Sequence, residues 1–317
     1  MEQTMKLPPV ALGTWSWGVG AVGGDQVFGN HLGKSELKPV FDAAMERGLT
    51  LWDSAVFYGM GASEDILGEL ASAYPRENLI LSTKFTPQIA GQTNDPVAEM
   101  CESSLGRLGT DYIDIYWIHN PADVEKWTPY LIPLVKSGKI RRVGVSNHNL
   151  AQIQRAEEIL SKEGVHISAV QNHYSLLYRS SEKAGILDYC KAHNITFFAY
   201  MVLEQGALSG KYNTSNPLPA GSQRAETYNP LLAKLEKLTL AMGEIGARYG
   251  ASIPQIAIAW AIAKGTTPII GATKPVHVED AAGAAGMKLT NEEINELEML
   301  AAAAEVDTRG SWEAPMV

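Results

Sequence analysis

Two cysteines in 317 residues are too few for a disulfide-stapled scaffold. Cys101 and Cys190 fall in stretches of helical pattern without Cys-x-x-Cys spacing, so free thiols and a reducing, cytoplasmic setting are expected. Long apolar runs are missing too. None approaches the ~18 residues of a bilayer-spanning helix, and Met1-Glu-Gln-Thr-Met-Lys6 has no apolar signal core, so no membrane association is expected. Basic runs are absent, and 35 acidic against 26 basic residues give a net charge of −9. That balance argues against nucleic acid or an anionic membrane as the main partner. The seven histidines show no His-x-His or clustered His/Asp/Glu spacing, which argues against a metal-dependent hydrolase and predicts no metal site.

What is present is a hydrophobic content of 45%, enough for a large core. Short β-branched or aromatic runs alternate with amphipathic stretches, the pattern of βαβ units and a parallel sheet. Eight strands are predicted to begin at Val10, Leu49, Leu79, Tyr112, Ile140, Ala169, Thr196 and Thr267. Helices are predicted over Ser35–Arg47, Ser63–Leu70, Pro96–Leu108, Trp127–Ser137, Leu150–Ser161, Glu182–His193, Ile253–Lys264 and His277–Ala285, with two extra ones over Leu231–Tyr249 and Asn291–Ala304. This predicts an α/β (β/α)8 TIM barrel with extra helices and a long insertion between strands seven and eight. No Pro/Gly/Ser-rich linker divides the chain, so residues 1–317 are expected to form a single domain.

In such a barrel the active site lies where the strands run out at their C-terminal ends. Leu51-Trp-Asp-Ser-Ala-Val-Phe-Tyr-Gly59 delivers Asp53 and Tyr58 there, Lys84 closes the third strand, and His119 closes the fourth. Ser146, Asn147, Gln171, Asn172 and Tyr200 fall at the same end of later strands. A carboxylate, a phenol, an ammonium and an imidazole brought together make a proton-handling site, in which the ammonium is expected to lower the phenol pKa. Singly, each has a plainer reading: Asp53 as a turn cap, Lys84 solvated at a strand end, His119 packed in a loop. The set is what carries the functional reading.

These residues give the chain a resemblance to the aldo-keto reductases over nearly its whole length. Trp52-Asp-Ser-Ala-Val-Phe-Tyr-Gly-Met-Gly-Ala-Ser-Glu64 resembles the family's first signature, and Asp53, Tyr58, Lys84 and His119 match its catalytic positions. Gly144-Val-Ser-Asn147, Gln171-Asn172 and Gly206-Ala-Leu-Ser-Gly-Lys-Tyr212 resemble its cofactor-binding segments. The resemblance implies hydride transfer between a nicotinamide dinucleotide and a carbonyl or alcohol. Tyr58 would then be the general acid or base, assisted by Lys84, Asp53 and His119, and Tyr200 an aromatic platform for the nicotinamide. The implied cofactor contacts are Gly13, Thr14, Trp15, Asp53, Ser146, Asn147, Gln171, Tyr200, Met201, Val202, Leu203, Gln205, Lys211, Arg224, Gly271, Thr273, Lys274 and His277.

The sequence departs from the family where the adenosine end is held. His277 stands for the usual Arg or Gln, Asp280 for a Glu and Ala281 for an Asn. Thr273 and Lys274 remain to hold a 2′-phosphate, so NADPH (NADP+) is expected, with NADH use also open. Met201, Val202, Glu204 and Gln205 differ from the small residues that often follow the stacking aromatic. Gly18-Val-Gly-Ala-Val-Gly23 matches the Rossmann fingerprint, yet no helical pattern begins before Ser35, so it is read as a glycine-rich first loop. Trp15, Trp17, Phe57, Trp117 and Trp312 are candidate walls for a small-molecule substrate with an apolar body, and Leu203 to Tyr228 is a candidate lid. The alternative function is a non-catalytic NADP(H)-binding, redox-sensing regulatory subunit. That branch lacks the catalytic histidine, so His119 counts against it. Oligomeric state is not encoded in any feature.

Overall fold

Strands buried on both faces must be apolar outward and choose their inward residues by layer, and this alternation organises the molecule. The structure, a computed structural model, describes residues 7–316. Eight parallel strands close into a barrel in chain order: β1 (Ala11–Gly13), β2 (Leu51–Asp53), β3 (Ile80–Phe85), β4 (Ile115–Ile118), β5 (Val143–Ser146), β6 (Ile167–His173), β7 (Thr196–Tyr200) and β8 (Thr267–Gly271). The TIM barrel and its parallel sheet are as expected, and closure rules out an open Rossmann sheet.

Two apolar clusters divide the work. Ala11, Leu51, Ile80, Ile115, Trp117, Ala169, Phe198 and Ile269 fill the barrel interior. Their strand neighbours, among them Leu12, Trp52, Leu81, Tyr116, Val170 and Phe197, pack outward beneath the surrounding helices. With a period of two, the next inward residues towards the C-terminal ends are Gly13, Asp53, Ser82, Lys84, Gln171 and Tyr200. Strand register sets them side by side: Gly13 pairs with Asp53, Asp53 with Ser82, Lys84 with Trp117, and Ser146 with Gln171. The interior is therefore apolar at the bottom and polar at the mouth.

Most helices match the predicted ones within a few residues, with instructive exceptions. The expected helix Glu182–His193 breaks into Ser180–Lys183 and Ile186–Ala192 around Gly185, whose φ of 74° lies in the left-handed region. Trp127–Ser137 is interrupted by a 3-10 turn at Thr128–Tyr130, so its regular part is Leu131–Lys136. A five-residue helix, Gly24–Phe28, follows the glycine-rich stretch and is too short to have shown a 3.6-residue period. In the excursion between β7 and β8, Gln223–Tyr228 and Leu232–Tyr249 are helical, and the longer helix packs outside the barrel against Ile253–Ala263 and Asn291–Ala303.

Trp117 and Trp17 prove to be core residues rather than walls of a mouth. Trp117 is fully buried in the barrel, edge-on to Phe198, with its indole N–H donating to Ser82 Oγ at 2.6 Å. Trp17 is fully buried against Trp52 and donates to the Ala272 carbonyl at 2.7 Å. Gly144 on β5 lies flat against the Trp117 ring, and a Cβ there would overlap ring carbons. Gly144→Ala should therefore displace Trp117 and cost about 1 to 3 kcal/mol by overpacking. Urea unfolding measures this, and an unchanged midpoint would contradict it.

Candidate functional site

At the barrel mouth Asp53 and Lys84 form an ion pair, Nζ to Oδ2 at 2.5 Å, with the lysine side chain fully buried and the carboxylate nearly so. A buried pair persists only if its remaining hydrogen-bonding capacity is met. Lys84 also donates to the Ser54 carbonyl at 2.6 Å. Asp53 Oδ1 accepts from Ser82 at 2.5 Å and from Gln171 Nε2 at 3.2 Å. Two further strands, β3 through both Ser82 and Lys84 and β6 through Gln171, thus fasten the end of β2.

Tyr58 and His119 come to this pair from loops. Tyr58 lies in the turn after β2, with Lys84 Nζ 5.0 Å from its ring centroid and the His119 ring 6.0 Å away at 80°. Burial raises the Tyr58 pKa above the ordinary phenol value; Lys84 pulls it down and Asp53 pushes it up, and burial prevails. The expected lowering is therefore corrected: the lysine acts in that sense but does not set the net direction. Lys84 itself is raised, because Asp53 and Tyr58 outweigh the opposing burial. His119 is held well below its ordinary value, first by burial and then by Lys84. Its ring is thus neutral at neutral pH, with Nδ1 2.8 Å from Thr86 Oγ1.

Above these groups opens a cavity of about 870 Å³. It brings together Asp53, Tyr58 and His119 with every residue expected to contact a dinucleotide: Gly13, Thr14, Trp15, Ser146, Asn147, Gln171, Tyr200, Met201, Val202, Leu203, Gln205, Lys211, Arg224, Gly271, Thr273, Lys274 and His277. Lys84 does not line it and lies behind, buried against Asp53 and the Tyr58 ring. Asn172 does not line it either: it faces outward and donates to the His148 carbonyl at 3.0 Å. Asp280 joins the lining, with a carboxylate oxygen accepting from Ser252 at 2.6 Å, whereas Ala281 is buried.

Some side chains are committed within the protein. Asn147 donates to the His119 carbonyl at 2.9 Å and accepts from the Tyr200 hydroxyl at 2.6 Å, so it aligns its neighbours with most of its amide. Arg224 donates to the Gln205 carbonyl at 3.3 Å, while its buried Nε has no partner. The helix Pro275–Ala284 starts at the cavity with no side-chain cap on its first amides, and the Thr273 amide donates to His277 Nδ1 at 3.2 Å. The donor set of Lys211, Arg224, Lys274 and an uncapped helix start suits the phosphates of a dinucleotide, and the Tyr200 ring suits a flat heterocycle.

The apolar end is built by Trp15, Phe28, Phe57 and Trp312. Trp15 stacks on Tyr58 at 5.8 Å and 24°, and meets Phe28 and Trp312 edge-on. Phe28, Thr86, Gln88 and Asn120 line the cavity without having been expected, and Tyr212 joins them from the segment that resembles a cofactor-binding one. Thr86, Gln88 and Asn120 follow the ends of β3 and β4, whereas Phe28 comes from the short helix after the glycine-rich stretch. The helix Gly24–Phe28 packs on Gln223–Tyr228, joining the first loop to the long excursion above the cavity.

The chain matches the Aldo/keto reductase family model over residues 9–302. It is 33% identical to the chloroplastic pyridoxal reductase of Arabidopsis thaliana, the match covering 94% of this chain and 84% of that protein. It is 30% identical to the aldo-keto reductase YhdN of Bacillus subtilis, covering 90% and 87%. Among solved structures, a glycerol dehydrogenase, AKR11B4, from Gluconobacter oxydans superposes with a TM-score of 0.75 at 27% identity, covering 95% of this chain and 93% of that one. An aldo-keto reductase from Klebsiella pneumoniae in complex with NADPH gives 0.73 at 27%, covering 93% and 91%. With a closed barrel, a cationic dinucleotide-sized cavity and this breadth of likeness, the chain belongs to the aldo/keto reductase family, NADP(H)-dependent oxidoreductases of carbonyl and alcohol groups.

Proposed function

We propose that this protein reduces a carbonyl substrate with NADPH, with Tyr58 protonating the carbonyl oxygen, and that reduction is the direction its electrostatics favour at neutral pH. The observation that carries this reading is the buried Tyr58 with its pKa raised, beside Lys84 and a neutral His119. A phenol that keeps its proton is a loaded acid. When bound, the nicotinamide supplies a hydride to the carbonyl carbon. The residues handle the charge that follows on oxygen. Tyr58 gives that oxygen its proton, and the resulting phenolate is stabilised by the Lys84 ammonium. Asp53 fixes the lysine in place. His119, in the tautomer in which Thr86 donates to Nδ1, carries its proton on Nε2 and donates to the same oxygen. Exclusion of water by the aromatic walls strengthens each contact.

On this reading Tyr200 backs the nicotinamide, while Ser146, Asn147 and Gln171 hold its edge directly or by aligning that ring. Lys211 and Arg224 take the pyrophosphate, and Thr273, Lys274 and His277 take the 2′-phosphate. Trp15, Phe57 and Trp312 form flat walls that suit an aromatic aldehyde. Pyridoxal, named for the Arabidopsis relative, is the first compound to test.

Tyr58→Phe should retain NADPH binding and lose about 10² to 10⁴-fold in kcat for aldehyde reduction. Single-turnover absorbance of the reduced nicotinamide is the measurement, and retained turnover would remove Tyr58 from the chemistry. Because the phenol is raised, reductive kcat should stay flat through neutral pH and decline only above about 10, whereas alcohol oxidation, which needs the phenolate, should climb with pH. A reductive profile that falls between about pH 6 and about pH 8 would contradict it. Lys274→Ala should weaken NADPH about tenfold or more and NADH much less, the loss of one charge-assisted phosphate contact. Quenching of tryptophan fluorescence reports both affinities, and equal losses would remove Lys274 from the 2′-phosphate site.

A further inference from the structure

One buried charged cluster takes no part in the reaction described above. His173, the last residue of β6, is fully buried, with Nδ1 2.9 Å from Glu313 Oε1 and Nε2 3.1 Å from Glu204 Oε1. A neutral imidazole has one N–H and can donate to only one of these carboxylates; a histidinium donates to both. Glu204, in the turn after β7, also accepts from Tyr228 at 2.6 Å, from Thr308 at 3.0 Å and from Ser175. Glu313 accepts in addition from the Gly310 amide at 3.0 Å.

The cluster therefore ties residues 308–313, far along the chain, to the ends of two barrel strands. Within this segment Trp312 reaches the cavity. Its indole N–H lies 3.2 Å from the Tyr200 hydroxyl, and its ring meets Trp15 edge-on at 5.7 Å. Trp312 is itself 46% exposed, so apolar burial is a weak hold on it. The strong contacts of the segment are those of Glu313 and Thr308.

We infer that His173 is a positioning residue: through Glu313 it holds residues 308–313 against the barrel so that Trp312 closes the substrate side of the cavity, and it thereby selects bulky aromatic carbonyls without touching the reacting atoms. The kinetic part rests on the carbonyl-reductase reading; the holding of the segment does not.

The surroundings determine how the hold responds to pH. Tyr178 stacks on one side of the His173 ring at 4.3 Å and Tyr200 lies at 5.5 Å, with Tyr228 beyond Glu204; Asp307 and Arg309 are the next charges along the segment. Burial raises all three phenols, so they stay neutral over the range in which the histidine titrates. Burial opposes the histidinium, but Glu204 and Glu313 outweigh it and raise His173 to about 9. A histidine raised on folding stabilises fully below its unfolded value of about 6.5, and that stabilisation is lost as pH rises through the folded value. The segment should thus be held at neutral pH and released near 9.

Arg309 is exposed and precedes Gly310, so trypsin cleavage at that bond, followed by intact mass, reports release of the segment. Acrylamide quenching of Trp312 fluorescence, taken as the difference between each protein and its Trp312→Phe counterpart, reports the same event at the cavity. Wild type should resist cleavage at neutral pH and become about tenfold more sensitive once the clamp is deprotonated. His173→Gln should be cleaved at that faster rate at all pH values. It should also raise KM for a bulky aromatic aldehyde about tenfold while changing kcat, and KM for a small aldehyde, by less than about twofold. Glu313→Gln leaves the His173–Glu204 pair in place and should behave in the same sense, which keeps the test available if His173→Gln does not fold. Cleavage and quenching that match wild type in Glu313→Gln would overturn the inference. So would equal KM increases for large and small aldehydes. If wild type reduces no carbonyl, the catalytic reading fails, and cleavage and quenching still decide whether His173 holds the segment.

Discussion

The ion pair between Lys84 and Asp53 is the constraint around which the mouth of the barrel is organised. Two opposite charges out of water gain little net stability from each other, and either one left alone would be costly. They therefore require a complete set of partners. Ser82, Gln171 and the Ser54 carbonyl supply it, from different parts of the barrel. Ser82 is in turn oriented by Trp117, whose flat seat against β5 requires glycine at position 144. A polar layer of this kind is tolerable only because the apolar interior beneath it and the outer shell of helices supply the burial that folds the chain.

A consequence of that layer is the electrostatic state of the two loop residues above it. Lys84 lowers the phenol of Tyr58 and suppresses protonation of His119, while burial works on both towards neutrality. Burial, against Lys84 at the phenol and together with it at the imidazole, thus leaves a proton-carrying phenol and an uncharged imidazole facing one cavity. This pairing suits donation to a developing oxyanion better than abstraction of a proton from an alcohol.

Tyr200 links this centre to the second buried charge. It accepts no side-chain role in the ion pair, yet it touches both halves of the cavity: Asn147 takes its hydroxyl proton, Trp312 donates to its oxygen, and His173 stacks behind its ring. The residues that follow it, Met201, Glu204 and Gln205, all adopt positive φ, a conformation that non-glycine residues sustain only where surrounding contacts enforce it. Glu204 has such contacts in His173, Tyr228 and Thr308. Its large charged side chain is thus held by partners within the protein.

Alternating apolar runs and helical stretches were sufficient to read the barrel, because a period of two against one of 3.6 is a local property of the chain. The polar residues at strand ends were legible for the same reason, and Asp53, Tyr58, Lys84 and His119 did come together. Breaks at Gly185 and Thr128–Tyr130 were not legible, since a helical pattern continues across them. Nor could any local pattern separate Trp15, a cavity wall, from Trp17 and Trp117, which are core: an indole reads the same in either setting, and only strand register and barrel closure decide which way it faces. The net direction of the Tyr58 shift depended on burial, which no sequence neighbour reveals. The clamp of His173 by Glu204 and Glu313 joins residues 31 and 140 positions apart. The sequence by itself determined the element order and the residue types available at the mouth; tertiary structure decided which charges are buried, what they pair with and which aromatic rings line the cavity, because burial and pairing are properties of distance in space and not of position along the chain.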